Sequence, residues 1–258
     1  DGVNAYNYTE NKFTYFRNDP STSNSISSNG VTGISDDASG NLWFATYNAG
    51  VDYYEKKKAL FTHYNQSTVK GLGSDYNWCA VDDRNGNLYV GHVSSGLSVV
   101  NLKSRTAKHY QVIPGDPFSI PDNRVNCILV DSKKRVWVGT NNGLALFNPK
   151  SEKFIVFRHN KYPNSLSGNV IRCITEINES SIWIGTSTGG VNILNYEDEI
   201  FTNPDKVNFD HIPVFDNPNG LSNAYIEAIC QDTYGNIWIG TAGGGLNFIA
   251  NNPDFFNR

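Results

Sequence analysis

The chain has 258 residues, a net charge of −4 and 18% charged residues. That length can bury a substantial core, and so mild a charge argues against nucleic acid or a membrane surface as partner. No run of 18 apolar residues occurs, so no membrane-spanning helix is expected, and the opening residues are not expected to act as a signal peptide.

Residues 1–16 read as the tail half of a repeated unit, with Phe13 eleven positions after Gly2. Residues 17–30 connect it to the first full unit, expected at 31–64. Four more follow, at 77–110, 125–157, 171–215 and 226–258. Each has one anchor run: Leu42-Trp43-Phe44-Ala45-Thr46, Leu88-Tyr89-Val90-Gly91-His92, Val136-Trp137-Val138-Gly139-Thr140, Ile182-Trp183-Ile184-Gly185-Thr186 and Ile237-Trp238-Ile239-Gly240-Thr241. The anchors Trp43, Tyr89, Trp137, Trp183 and Trp238 lie 46, 48, 46 and 55 residues apart by subtraction. Periods of this length mark repeat architectures.

Within each unit a first strand runs from an apolar position (Val31, Asn77 in its place, Val125, Ile171, Ile226) toward Asp37, Asp83, Asp131, Ile177 or Asp232. A turn follows, with Gly40-Asn41, Gly86-Asn87 and Gly235-Asn236 suited to positive φ. Lys133-Lys134-Arg135 and Glu179-Ser180-Ser181 make the other two turns less regular. The anchor run is the second strand, rich in residues that fit a pleated surface. A Gly then introduces a third strand, and an aromatic such as Phe61 or Phe154 the fourth. In the fourth unit either Phe201 or Phe209 can start that strand, and the extra length at 197–214 reads as a loop insertion. Four antiparallel strands per repeat predict an all-β fold, a β-propeller of five blades plus a half blade. The aromatic anchors are expected to fill the gaps between neighbouring sheets. A chain with no Met that opens in mid-unit is expected to be part of a larger ring.

The connectors share an apolar residue, Ile26, Leu72, Ile120, Leu166 or Leu221, expected to pin each loop to its blade. Lys56-Lys57-Lys58 reads as a solvated turn. Cys79, Cys127 and Cys173 occupy a column held elsewhere by Gly33 and Ala228, which selects for small size. They and Cys230 are expected to be free thiols, with no zinc site. His63, His92, His109, His159 and His211 form no catalytic spacing, and the repeated Asp reads as a turn cap. No catalytic residue, metal or cofactor is expected.

Binding is more legible. In a repeat protein, function sits where the repeat breaks its own consensus. Two columns at the start of the first strand vary while their neighbours stay mostly apolar. They hold Tyr76, Trp78, Arg124, Asn126, Arg172, Tyr225 and Glu227. Expected at one mouth of the channel, they combine flat apolar faces with hydrogen-bonding groups, which suits an oligosaccharide.

The repeat, seen best in Asn123-Arg124-Val125-Asn126-Cys127-Ile128 with Trp137-Val138-Gly139-Thr140, resembles the two-component regulator propeller repeat. The connector Asn164-Ser165-Leu166-Ser167-Gly168-Asn169 is similar to that family's inter-blade sequence. The resemblance implies a periplasmic sensor ectodomain of a hybrid two-component system of the Bacteroides type. It further implies detection of glycan breakdown products and signalling as a homodimer to a histidine kinase. Sandwich domain, membrane span and kinase would lie outside this chain. Two other uses remain open: a scaffold for protein partners, and a propeller lyase resembling the streptogramin-inactivating type, which needs a metal beside His and carboxylates.

Overall fold

The computed structural model describes residues 2–179, 181–195, 207–214 and 220–251. Every helix or strand among them is a β-strand. The chain groups into two compact units: Asp1–Pro114 with Asn123–Ile128, and Gly115–Asp122 with Leu129–Arg258.

The first unit opens with a hairpin of β1 (Val3–Asn7) and β2 (Lys12–Phe16). One four-stranded sheet follows: β3 (Val31–Asp36), β4 (Leu42–Thr46), β5 (Val51–Glu55) and β6 (Leu60–Tyr64). The next is β7 (Asn77–Asp82), β8 (Asn87–His92), β9 (Leu97–Asn101) and β10 (Thr106–Tyr110). Both are antiparallel meanders, the blade of a β-propeller. A third blade consists of β11 (Val125–Val130), β12 (Val136–Thr140), β13 (Gly143–Asn148) and β14 (Lys153–Phe157). The second unit continues with β15 (Ile171–Asn178), β16 (Ser181–Thr186), β17 (Val191–Asn195) and β18 (Phe209–His211). The fifth blade shows β19 (Ile226–Gln231), β20 (Ile237–Thr241) and β21 (Gly245–Ile249). Phe209 therefore starts the fourth strand of the fourth blade. Phe201 and Phe256, like most of the insertion, lie outside the described residues.

The aromatic anchors do fill spaces between sheets. Trp43 lies in one core with Ala80, Leu88 and Val90 of the following blade. Its ring meets Tyr53 at 4.5 Å and Tyr64 at 5.3 Å. Trp183 shares a core with Ile226, Ile229, Ile237 and Ile239 of the blade after it. Trp137 and Tyr89 are also buried. Trp238 departs from this pattern and is half-buried. Leu246 and Phe248 on the same blade are 62% and 52% exposed, so no further sheet among the described residues covers that blade.

The small residue of the anchor strand has a defined neighbour. A Cβ on Gly91 would lie 2.6 Å from Cys79 Sγ and 2.6 Å from Val125 Cγ1. One on Gly185 would meet Cys173 Sγ at 2.5 Å and Ile226 Cγ2 at 2.6 Å. Glycine and cysteine are thus a size-matched pair that lets the next blade's first strand close in. All four Cys are free. Burial pushes the Cys79 and Cys173 thiols up to about 12, so both stay protonated and unreactive.

The turns hold one correction. Gly40, Gly86 and Gly235 have positive φ, but the Asn after each does not. That Asn instead ties back to the repeated Asp: Asn41, Asn87 and Asn236 each donate Nδ2 to Asp37, Asp83 or Asp232 at 2.8–2.9 Å. Their backbone N–H groups donate to the same carboxylates. At Asp232 the Asn236 amide is the chief influence; with further hydrogen bonds, including that from the Trp238 indole, it outweighs the opposing effect of burial and holds the carboxyl below its usual range. In the third blade Arg135 takes the Asn role, donating to Asp131 through both N (2.8 Å) and Nε (2.7 Å). The Lys-rich turn is therefore as well capped as the Gly-Asn turns, with Lys134 in the left-handed region at φ 64°. Lys56, Lys57 and Lys58 are exposed after β5, with Lys58 Nζ 3.1 Å from Glu55.

The connector residues Ile26, Leu72, Ile120, Leu166 and Leu221 are all buried. A polar clamp beside them recurs on the third strand. Asp52 accepts from the Ser27 N–H (2.8 Å), Asn192 from the Ser167 N–H (2.7 Å) and Asn247 from the Ser222 N–H (3.0 Å).

Candidate functional site

A β-bulge generates the variable column. Pairing between first and second strands shifts between Val31 and Gly33, Asn77 and Cys79, Ile171 and Cys173, and Ile226 and Ala228. The skipped residues are Thr32, Trp78, Arg172 and Glu227. A bulged residue leaves the ladder, and the bulge re-aims its side chain. These positions are thus free of pairing constraints, which is why the sequence varies there.

In the first unit the structure brings Tyr76, Trp78, Arg124 and Asn126 together. The Arg124 guanidinium lies over the Trp78 ring at 5.3 Å, and its Nε donates to Asn126 Oδ1 at 3.3 Å. Sequence reasoning missed Tyr47, which completes this cluster. Its ring stands edge-on to Tyr76 at 5.8 Å and to Trp78 at 5.9 Å. Tyr47 and Tyr76 are 46% and 51% exposed. The Trp78 indole nitrogen is buried and has no hydrogen-bond partner among the described residues. The missed signal was available. Four residues after each anchor come Tyr47, Val93, Asn141, Ser187 and Ala242, a second variable column. It is hydrogen-bonded to the first: Tyr47 N donates to Gly30 O, and Val93 N to Tyr76 O.

In the second unit Arg172, Tyr225 and Glu227 form a separate cluster. Arg172 Nη2 donates to Glu227 Oε2 at 2.9 Å, and the guanidinium lies 5.5 Å from the centre of the Tyr225 ring. Here the charged and aromatic groups engage each other.

The histidines serve the fold. His92 is fully buried. Its Nδ1 lies 2.6 Å from Asn77 Oδ1 and its Nε2 2.7 Å from Ser98 Oγ, and Ser98 Oγ is 3.1 Å from His109 Nδ1. An amide oxygen can only accept, so Nδ1 of His92 carries the proton and Nε2 accepts. Burial, with His109 nearby, pushes the His92 pKa down to about 3, and the ring is neutral. His63, His109 and His211 occupy one column, opposite Asp52, Ser98 and Asn192. His63 Nδ1 meets Asp52 Oδ1 at 2.6 Å, while His211 Nε2 donates to Ser165 O at 2.8 Å. His159 Nδ1 donates to Leu166 O at 2.6 Å. Among the described residues no group of three His, Cys, Asp or Glu could hold a metal ion.

Residues 25–48, 119–142 and 220–243 match the two component regulator propeller family. Over 256 residues the chain is 27% identical to histidine kinase P4 of Formosa agariphila, spanning 97% of this chain and 18% of that protein. It is 37% identical to the extracellular domain of the putative hybrid two component system BT3049 from B. thetaiotaomicron. That likeness has a TM-score of 0.81 and covers 98% of this chain and 31% of the other. The extracellular domain of the BT4673 system from the same organism superposes with a TM-score of 0.70 at 20% identity. It spans 97% of this chain and 31% of that one, and at this identity shows the fold alone. The chain thus spans under a third of the length of each relative. In the 37%-identical structure the match falls in an extracellular domain.

Proposed function

We propose that this chain, a carrier of two-component regulator propeller repeats, is the non-catalytic, ligand-sensing part of a periplasmic signalling ectodomain. It responds to oligosaccharides released from glycans, and it signals as a homodimer to a histidine kinase outside this chain. The observation that carries the ligand reading is the cluster of Tyr47, Tyr76 and Trp78. Two of its rings are about half exposed, Tyr47 at 46% and Tyr76 at 51%, and pack edge-on against each other and the third. Amphipathic aromatics held on a rigid sheet suit ligands that present both C–H faces and hydroxyls. The 37% identity to an extracellular domain of a hybrid two-component system supports the location and the sensing role.

Isothermal titration of the intact ectodomain against a panel of neutral and acidic oligosaccharides tests this reading. Saturable binding by at least one member is expected. Silence across the panel would sink the saccharide assignment. The competing lyase reading predicts a metal-dependent loss of substrate in the same samples. All five histidines are engaged in hydrogen bonds within the fold, which argues against it.

A further inference from the structure

We infer that Tyr47 and Tyr76 are the ligand-contacting pair of the first unit, that Trp78 is a positioning residue beneath them, and that the site takes a pyranoside without a cationic group. This rests on the saccharide reading above and assigns roles within it.

The three aromatics are not equivalent. One face of Trp78 already carries a cation, with Arg124 at 5.3 Å. Its indole nitrogen is buried, so its polar handle is not available at the surface. Tyr47 and Tyr76 each have about half their surface open to solvent, and no hydrogen bond holds either hydroxyl among the described residues.

Their backbones, in contrast, are fixed. Tyr47 N donates to Gly30 O at 2.8 Å. Tyr76 N donates to Ser74 Oγ at 3.0 Å, and its carbonyl accepts from Val93 N at 3.0 Å. A tyrosine with a fixed backbone has two χ angles left to order, so it presents a contact face at small entropic cost. The edge-on packing of Tyr47 against Tyr76 and against Trp78 restricts those angles further.

Charge selects the ligand class. Aromatic faces carry negative potential and attract cations, but the chain's own guanidinium already occupies the Trp78 face and repels a second cation. The same guanidinium attracts an anion, so the arrangement disfavours cationic ligands alone. An uncharged sugar ring can lay its C–H groups on those faces and bond its hydroxyls to the phenols.

The test uses the intact ectodomain and a panel of neutral trisaccharides of gluco, galacto, manno and xylo configuration, with aminated and carboxylated versions of the same sugars. Binding is followed by titration calorimetry, and folding by the far-ultraviolet spectrum. Tyr47→Ala and Tyr76→Ala are each expected to weaken binding tenfold or more with an unchanged spectrum. Tyr225→Ala in the second unit is expected to leave it within twofold. Trp78→Phe keeps a ring under Arg124 and should bind within threefold of the parent, whereas Trp78→Leu should lose tenfold. Neutral sugars should bind at least fivefold better than their aminated versions. If the panel binds and both Tyr→Ala variants bind like the parent, the assignment of these residues fails and the saccharide reading stands. If Trp78→Phe alone abolishes binding, Trp78 is itself the contact and its positioning role is overturned. An aminated version that binds as well overturns the ligand class. No binding by any sugar overturns both readings.

Discussion

The two clusters at the starts of the first strands come from the same columns of the repeat and end in opposite conditions. In the second unit Arg172 pairs with Glu227 at 2.9 Å and stacks on Tyr225. In the first unit the Trp78 indole N–H has no partner among the described residues, and Tyr47 and Tyr76 are about half exposed. The seven residues that look alike as breaks in a consensus therefore differ: Arg172, Glu227 and Tyr225 engage one another, as do Arg124, Trp78 and Asn126, while Tyr76 keeps an open face. Variation at a bulge marks freedom from pairing constraints. What becomes of that freedom depends on which side chains the neighbouring blades bring alongside.

The largest expected effect contrasts the buried positions behind the clusters. His92 in the first unit stands where Thr186 stands in the second. Its folded pKa of about 3 lies below the 6.5 of an unfolded histidine. The native state therefore binds fewer protons than the unfolded chain below pH 6.5. Stability from the neutral ring is complete above pH 6.5 and is lost as pH falls from there toward 3. The full loss is on the order of 5 kcal/mol, of which about 3 kcal/mol falls above pH 4. Denaturant melts from pH 7 to pH 4 should show it, and His92→Thr should flatten the curve at some cost in stability at neutral pH. An unchanged slope in His92→Thr would remove His92 from the account.

Next in size, Gly91→Ala and Gly185→Ala should each destabilise by about 1–3 kcal/mol through overpacking. Each new methyl meets a Cys Sγ and a β-branched side chain of the next first strand. Similar losses in chemical denaturation are expected, because the two sites share one geometry. A much smaller loss at one of them would show that blade contact to be looser.

Trp78→Phe removes a buried donor that has no partner. Leaving such a group unpaired costs about 1–3 kcal/mol, so the variant should be neutral or more stable by up to about 1 kcal/mol despite its smaller ring. A clear loss in thermal denaturation would mean that the indole has a partner. The smallest effect belongs to Arg172→Ala. The Arg172–Glu227 pair is partly exposed, so its loss should cost less than about 1 kcal/mol and shrink further in high salt. Melting curves at low and high salt separate this from a packing loss.

Much of this molecule was legible in one dimension. The repeat gave the blades, their order, the anchors, the pinning residues of the connectors and the small-residue column, because each reflects a constraint repeated by every copy. Where a copy departs from the pattern, legibility failed locally. The Gly-Asn turns suggest backbone freedom, whereas the Asn side chains act by bonding the Asp. His211 belongs with His63 and His109, but the longer fourth unit displaced it in the count. Tyr47 went unnoticed because its column lies just past the second strand, and only the packing of one blade on the next shows that it adjoins Tyr76.

Periodic burial and strand chemistry, encoded residue by residue, determined from the sequence alone that the chain builds antiparallel blades with aromatic anchors. Tertiary structure decided which polar and aromatic side chains satisfy one another and which stay open. That outcome depends on bulges and on contacts between residues some 30 to 55 positions apart, where distances of a few ångströms separate an ion pair from an empty aromatic face.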